Sequence, residues 1–347
     1  MAETQNKQEK FISENTVEIF GQLESLEITQ HKNDGTPLET KDGIPFKTAR
    51  ARIRVAEGET HQVEFMARKY FKSNPDEISN QWKAFDTYEA EYVSIKDSED
   101  KTSERFGQEP TEVHAIAQLE LNVFKNKAGQ VQESTRLRGR FMNRLREGAD
   151  GKKPEYIAKY TVEAVVTAEP TLEVKGEKET GRLLVHVGLI DYQNKMQPFT
   201  FVAENVVDEN GEVINDNVSY LEQELETGQT IVLNGVIINR YIVKHVERAG
   251  AGFGKATVDV KTDRVNEILI EGGLEPKHPD EFDEETDALL VVFPAQFKEA
   301  QDNWKAHLTE VESTQNKTTK PAAKKKAGKA FGKPTTKSNI KESDLPF

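Results

Sequence analysis

Residues 136–146 read Arg-Leu-Arg-Gly-Arg-Phe-Met-Asn-Arg-Leu-Arg, an alternation with a period of two. That period belongs to a β-strand, whose side chains point to opposite faces in turn. A strand here puts Arg136, Arg138, Arg140, Met142, Arg144 and Arg146 on one face and Leu137, Gly139, Phe141, Asn143 and Leu145 on the other. The first face is too charged to be a core; the second can enter one. Arg50, Arg52 and Arg54 alternate in the same way with Ala49, Ala51, Ile53 and Val55. In the run that follows, Met66, Arg68 and Tyr70 oppose Val63, Phe65 and Ala67. Sheets with one buried and one charged face are the expected building material.

The rest of the chain supplies more of it. Residues 17–28, 46–55 and 61–71 read as strands, the last two joined around Glu57-Gly58-Glu59 as a hairpin. Asn74 and Pro75 predict the start of a short helix over 75–85. Strands are predicted over 88–95, 113–124 and 131–146, with a charged, mobile segment at 96–110. The stretch 147–154 suits a boundary, and a similar series follows. It comprises a strand at 156–168, a hairpin of 182–192 with 197–203, a helix at 218–225, a strand at 229–246 broken near Asn239, and a strand or strand pair at 257–270. Two internal echoes suggest duplication: residues 138–144 with 234–240, and Thr16-Val17-Glu18 with Thr161-Val162-Glu163. Their unequal offsets predict an insertion of roughly 50 residues in the first unit.

This pattern predicts a mainly β chain built as two OB-fold-like small barrels in tandem, each with one short helix. The expected division is a flexible 1–15, a first barrel over 16–147, a second over 155–271, an acidic linker with a strand and helix over 272–312, a disordered basic linker over 313–341 and a terminal tip at 342–347. No apolar run is long enough for a membrane helix, the N-terminus lacks a signal-peptide core, and there are no cysteines. A cytoplasmic protein outside the membrane is the expectation.

The net charge of −13 argues against a polyanion partner until its distribution is examined. Nine lysines lie between Lys317 and Lys341 with no acid among them, and Glu342 and Asp344 follow. The end of the chain therefore carries 9 − 2 = +7, and the remainder −13 − 7 = −20. Phosphate contacts are local, so a concentrated basic surface matters more than the sum. Five arginines on one strand face repel one another, and a flexible polyanion relieves that repulsion. Single-stranded DNA fits, with Arg50, Arg52, Arg54, Arg68, Arg136, Arg138, Arg140, Arg144 and Arg146 as phosphate or base contacts and Tyr70 as a stacking platform. Tyr88 and Tyr92 are further platform candidates. The competing reading pairs these arginines with acids on neighbouring strands. The second unit is thinner in basic residues, with Arg182, Lys195, Arg240, Lys244, Arg248 and Lys255 near Tyr160, Tyr192, Phe199 and Tyr241.

The chain ends Glu342-Ser343-Asp344-Leu345-Pro346-Phe347. This ending resembles the acidic tip of bacterial and phage single-stranded DNA-binding (SSB) proteins, and the order of folded part, low-complexity linker and tip is similar to theirs. The resemblance implies that Phe347 and Pro346 contact replication, recombination or repair proteins, with Leu345 beside them and Asp344 and Glu342 as electrostatic support. The tip has only two acids, Leu345 stands where Ile is common, and the linker is Lys-rich. With the length of the chain, these departures point to a phage or mobile-element version acting in a bacterial host.

Enzyme signatures are missing. Residues 249–255, Ala-Gly-Ala-Gly-Phe-Gly-Lys, satisfy neither a P-loop nor GxGxxG and read as a flexible turn. The seven histidines form no close ligand pair, and no GxSxG occurs. The expectation is a non-enzyme without cofactor or metal that protects single-stranded DNA and recruits partners; homo-oligomerisation stays open. The alternative is an OB-fold scaffold of a replication complex that does not itself hold DNA.

Overall fold

The structure is a computed structural model and describes residues 10–71, 74–126, 128–148, 151–248, 257–283 and 290–313. The basic linker, the terminal tip with Glu342, Asp344, Leu345, Pro346 and Phe347, and the turn at 249–255 lie outside the described residues.

Strands β1 (Asn15–Thr29), β2 (Phe46–Ala56) and β3 (Glu59–Arg68) lead into a small hairpin of β4 (Tyr70–Phe71) and β5 (Asn74–Ile78). Helices α1 (Asn80–Glu91) and α2 (Ile95–Glu99) precede strands β6 (Glu112–Lys125) and β7 (Val131–Arg144). The second series is β8 (Ile157–Lys175), β9 (Lys178–Ile190), β10 (Met196–Ala203), a hairpin of β11 (Val206–Val207) and β12 (Val213–Asn215), α3 (Asn217–Glu224), β13 (Thr230–Arg248) and β14 (Thr257–Gly273). Helix α4 (Pro294–Ser313) follows.

Hydrogen bonding closes each series on itself. The first runs β1-β2-β3-β7-β6 and back to β1, with β3–β7 the one parallel pair. The second runs β8-β9-β10-β14-β13 and back to β8, with β10–β14 parallel. Each is a five-stranded barrel of OB topology with its helix between the third and fourth strands. The protein is mainly β, two such barrels in tandem. They are joined where residues 15–20 of β1 pair antiparallel with 157–162 of β8. That pairing covers the part of β1 that β2 leaves open, so the first half of each first strand is bonded on both edges.

Alternation builds the interiors. Ala49, Ala51 and Ile53 on β2 and Val63, Phe65 and Ala67 on β3 are buried, as are Val185, Val187, Phe199 and Phe201 in the second barrel. One continuous apolar cluster spans both interiors. A second cluster holds α4 on the second barrel through Val292, Ala300 and Phe297. Phe11 belongs to it: the Gln296 side chain donates to the Phe11 carbonyl (2.7 Å) and accepts from its N–H (3.1 Å). The stretch read as a flexible start is thus pinned from Phe11 onward.

Several local expectations change. Residues 74–78 extend the β4–β5 hairpin, and α1 begins only after Ser79, whose hydroxyl accepts from the Trp82 N–H. Residues 88–95, predicted as a strand, hold the end of α1, a three-residue link and the first residue of α2, which opens on a capping box of Ser94 and Asp97. The charged segment 96–110 is tied down: the Ser98 hydroxyl donates to the Gln108 carbonyl, and Arg105 donates to the carbonyls of Tyr92 and Glu89. β13 runs unbroken through Asn239, and residues 290–293 form no strand. The echo of 138–144 with 234–240 matches a fifth strand to a fourth, so it is not a structural repeat. The segments between third and fourth strands hold 43 residues (69–111) and 26 residues (204–229), a difference of 17 rather than about 50.

Candidate nucleic-acid interface

Strands β2, β3 and β7 lie side by side, and their outward positions form one surface. Arg50, Arg52 and Arg54 come from β2, Arg68 from β3, and Arg136, Arg138 and Arg140 from β7. The row on β7 is shorter than its period predicts. Ile116 faces Phe141 and Ala117 faces Gly139, so Arg140 is the extra residue of a β-bulge. A bulge resets the alternation. Met142, predicted on the arginine face, is buried, and Phe141, predicted in the core, is exposed. Arg144 and Arg146 therefore leave the row. Arg144 donates to the Glu91 carbonyl and lies 5.2 Å from the Tyr92 ring, and Arg144 and Arg146 line a separate recess with Phe20 and His114.

The acids of neighbouring strands do reach several of these arginines. Glu24 lies 3.4 Å from Arg52 and 3.2 Å from Arg54. Glu64 approaches Arg50 at 3.6 Å and Arg136 at 3.8 Å, and Glu27 approaches Arg50 at 3.9 Å. Glu120 holds Arg136 at 3.0 Å and Arg138 at 3.6 Å. Seven arginines against these four glutamates leave 7 − 4 = +3. Most of the pairs are long and partly exposed, so each stabilises by about 0–1 kcal/mol and exchanges readily. Among the described residues, Arg68 and Arg140 have no carboxylate within salt-bridge distance; Arg140 donates to the Gln118 amide oxygen (3.2 Å).

Arg68, Arg138 and Arg140 meet in an open cleft of about 310 Å³ whose other walls include Tyr70, Phe71, Gln81 and Gln118. The β4–β5 hairpin sets both aromatic residues at its edge. Phe71 is 49% exposed, Tyr70 is half-buried, and Lys69 sits 5.2 Å from the Tyr70 ring. Tyr88 and Tyr92, the other predicted platforms, are in the core; the Tyr88 hydroxyl accepts from the Met142 N–H, and burial raises both phenol pKa values. Phe71 and Phe141 were not singled out in the sequence. Phe71 carries no signal beyond its place after Tyr70, and Phe141 is hidden by the bulge. A second depression shares Met66 and Arg138 with the first and continues over Arg50 and Arg136.

A family model described as YorF matches residues 13–291, the two barrels and the segment after them. The chain belongs to the YorF family. No curated protein matches its sequence. Among solved structures, it is similar to a deletion mutant of the single-stranded DNA-binding protein from Thermus aquaticus, at 12% identity and a TM-score of 0.42, over 79% of this chain and 98% of that one.

The two barrels of this YorF-family chain are not equivalent in charge. β14 carries the same bulge as β7, with Glu271 as its extra residue where β7 has Arg140. Phe65 pairs with Gly139 as Ala203 pairs with Ile270, which fixes the remaining correspondence. Arg136 and Arg138 then match Glu267 and Leu269; Arg50, Arg52 and Arg54 match Leu184, His186 and Gly188. The arginine face belongs to the first barrel alone. Arg182 in the second is enclosed by Glu267 (2.5 Å), Glu173 (3.6 Å) and Glu204 (3.5 Å), and Arg240 pairs with Glu59 (3.6 Å). Tyr160 and Phe199 are buried, whereas Tyr192 and Tyr241 are exposed. The described residues contain no group of three or more metal-ligating side chains and no helix long and apolar enough to cross a membrane.

Proposed function

We propose that this protein binds and protects single-stranded DNA with little regard to sequence, holding it on the outer face of β2, β3 and β7. The observation that carries this reading is the cleft in which Arg68, Arg138 and Arg140 converge beside Tyr70 and Phe71. Guanidinium groups neutralise phosphates and stack on bases, and the rings add a sequence-tolerant platform. The partly exposed glutamate pairs do not oppose this strongly, because a strand of phosphates offers the same arginines a denser array of oxygens. In this account the segment Glu342–Phe347 recruits replication, recombination or repair proteins, its aromatic and apolar residues seeking a pocket and its acids a basic rim.

The test is a titration with poly(dT) at several salt concentrations. Each phosphate neutralised contributes about −0.7 to the slope of log K against log salt, so four to seven arginines predict a slope of roughly −3 to −5. Arg68→Glu, Arg138→Glu and Arg140→Glu together convert +3 to −3 on this face and should abolish binding. The paired state of Arg50, Arg52, Arg54 and Arg136 favours one rival, a scaffold that never grips DNA. That rival predicts no binding by either protein.

A further inference from the structure

The ends of the two barrels enclose a cleft of about 430 Å³ between β3 and β7 on one side and β10, β13 and β14 on the other. It shares Glu64 and Arg136 with the depressions on the arginine face, so a strand leaving that face meets it next. Its chemistry differs. The charged side chains of its lining are Arg136 and Arg264 with Glu64 and Glu267, a sum of 2 − 2 = 0 before the Arg182 that holds Glu267 from outside, whereas the neighbouring face carries an excess of three positive charges. The lining is apolar at Leu119, Ile237 and Ile268, and polar and uncharged at Gln62, Thr135 and Asn266. His61 also lines it. That side chain is 1% exposed, and among the described residues its Nε2 makes no hydrogen bond; a carboxylate oxygen of Glu59 is 3.7 Å away.

A neutral cleft with an apolar lining and amide and hydroxyl groups is a poor phosphate site and a good one for a flat heterocycle. Asparagine and glutamine amides offer a donor and an acceptor side by side, which is what base edges match. The imidazole nitrogen marks a buried polar atom without a hydrogen-bond partner among the described residues. We infer that the cleft between the barrels receives one nucleobase of the bound single strand and reads its edge with Gln62 and Asn266. This rests on the arginine face holding the DNA. It adds to that reading a single position of base preference within an otherwise tolerant footprint, and it gives the second barrel a part in binding that its charges do not provide.

The experiment compares dT, dA and dC oligomers of about 20 nucleotides, longer than the ~4–16 that one OB-fold covers, with an abasic oligomer of the same length. The full chain is titrated alongside two variants altered at exposed positions, Gln62→Ala with Asn266→Ala, and Thr135→Trp, which fills the cleft. The native protein should separate the three bases by about ten-fold or more and bind the abasic oligomer more weakly still. Both variants should narrow the spread to about two-fold, with the salt slope unchanged. A native spread below two-fold, an abasic oligomer bound as tightly as dT, or an unaltered spread in both variants overturns the inference while leaving the arginine face intact. Failure of the native protein to bind any oligomer removes the underlying reading instead.

Discussion

Removing two glutamates should make this protein bind DNA more tightly. Glu64 and Glu120 between them contact Arg50, Arg136 and Arg138, at 3.0–3.8 Å. If phosphates must displace those carboxylates, each partly exposed contact adds a cost of up to about 1 kcal/mol. Glu64→Gln with Glu120→Gln keeps the side-chain shapes, raises the charge of the face from +3 to 7 − 2 = +5 and removes four contacts. A net gain of about 1–2 kcal/mol corresponds to roughly 5–30-fold tighter binding. The slope of log K against log salt should steepen by about 0.7 for each additional phosphate held. Fluorescence anisotropy with a labelled dT oligomer at several salt concentrations reads both quantities. A control pair, Glu18→Gln with Glu112→Gln, changes total charge equally but releases His114, Lys159 and Lys153 instead. Its effect should stay below about two-fold, since the ion pairs of these two carboxylates are with His114, Lys159 and Lys153 and not with an arginine of the face. Unchanged or weaker binding by the Glu64 and Glu120 variant, or an equal gain in the control, would refute the view that these arginines exchange carboxylate for phosphate.

Three other outcomes follow from the same structure. Phe71→Ala should cost about 1–3 kcal/mol of single-strand affinity in a titration while leaving the salt slope alone, as expected for a lost stacking platform. Gly235→Ala would place its Cβ 2.0 Å from the Leu269 carbonyl oxygen, and Gly139→Ala 2.2 Å from the Phe65 ring; both should lower the melting temperature at a cost of roughly 1–3 kcal/mol, Gly235→Ala more because backbone cannot turn aside. Burial holds the His61 imidazole down to about pKa 4, against about 6.5 in the unfolded chain, so the unfolded state takes up the proton first as pH falls. Stability should be whole above about pH 6.5 and drop by up to about 3 kcal/mol toward pH 4, a loss that urea midpoints detect and that His61→Leu should largely remove.

The barrels were legible because burial enforces alternation. On β2, Ala49, Ala51 and Ile53 go in, and Arg50, Arg52 and Arg54 come out, as the period requires. Reading failed where tertiary structure overrides a local signal. The bulge at Arg140 is set by the pairing of β7 with β6, which no residue type announces, and it moves Phe141 and Met142 to the opposite faces. Asn74-Pro75 offers sound helix-start chemistry, yet Tyr70 and Phe71 take residues 74–78 as a hairpin partner and leave Ser79 to begin α1. The Ser94–Asp97 capping box is a local signal for the helix that replaces the expected strand end. Pairing of the arginines with acids is the competing expectation, and its outcome is mixed: among the described residues Arg50, Arg52, Arg54, Arg136 and Arg138 have acid neighbours, and Arg68 and Arg140 do not. Alternation can say which face a side chain takes; which acids lie across from it depends on register between strands far apart in sequence.

Photocrosslinking asks the main question with the fewest assumptions. An oligomer carrying 5-iodouracil is irradiated with the full chain, and the attached peptides are mapped by mass spectrometry. Adducts should concentrate on residues 66–71, from the end of β3 through β4, and on residues 135–141, and competition with unlabelled poly(dT) should erase them. Adducts confined to the second barrel, or none at a protein concentration where the labelled strand is bound, would contradict the assignment of DNA to that surface.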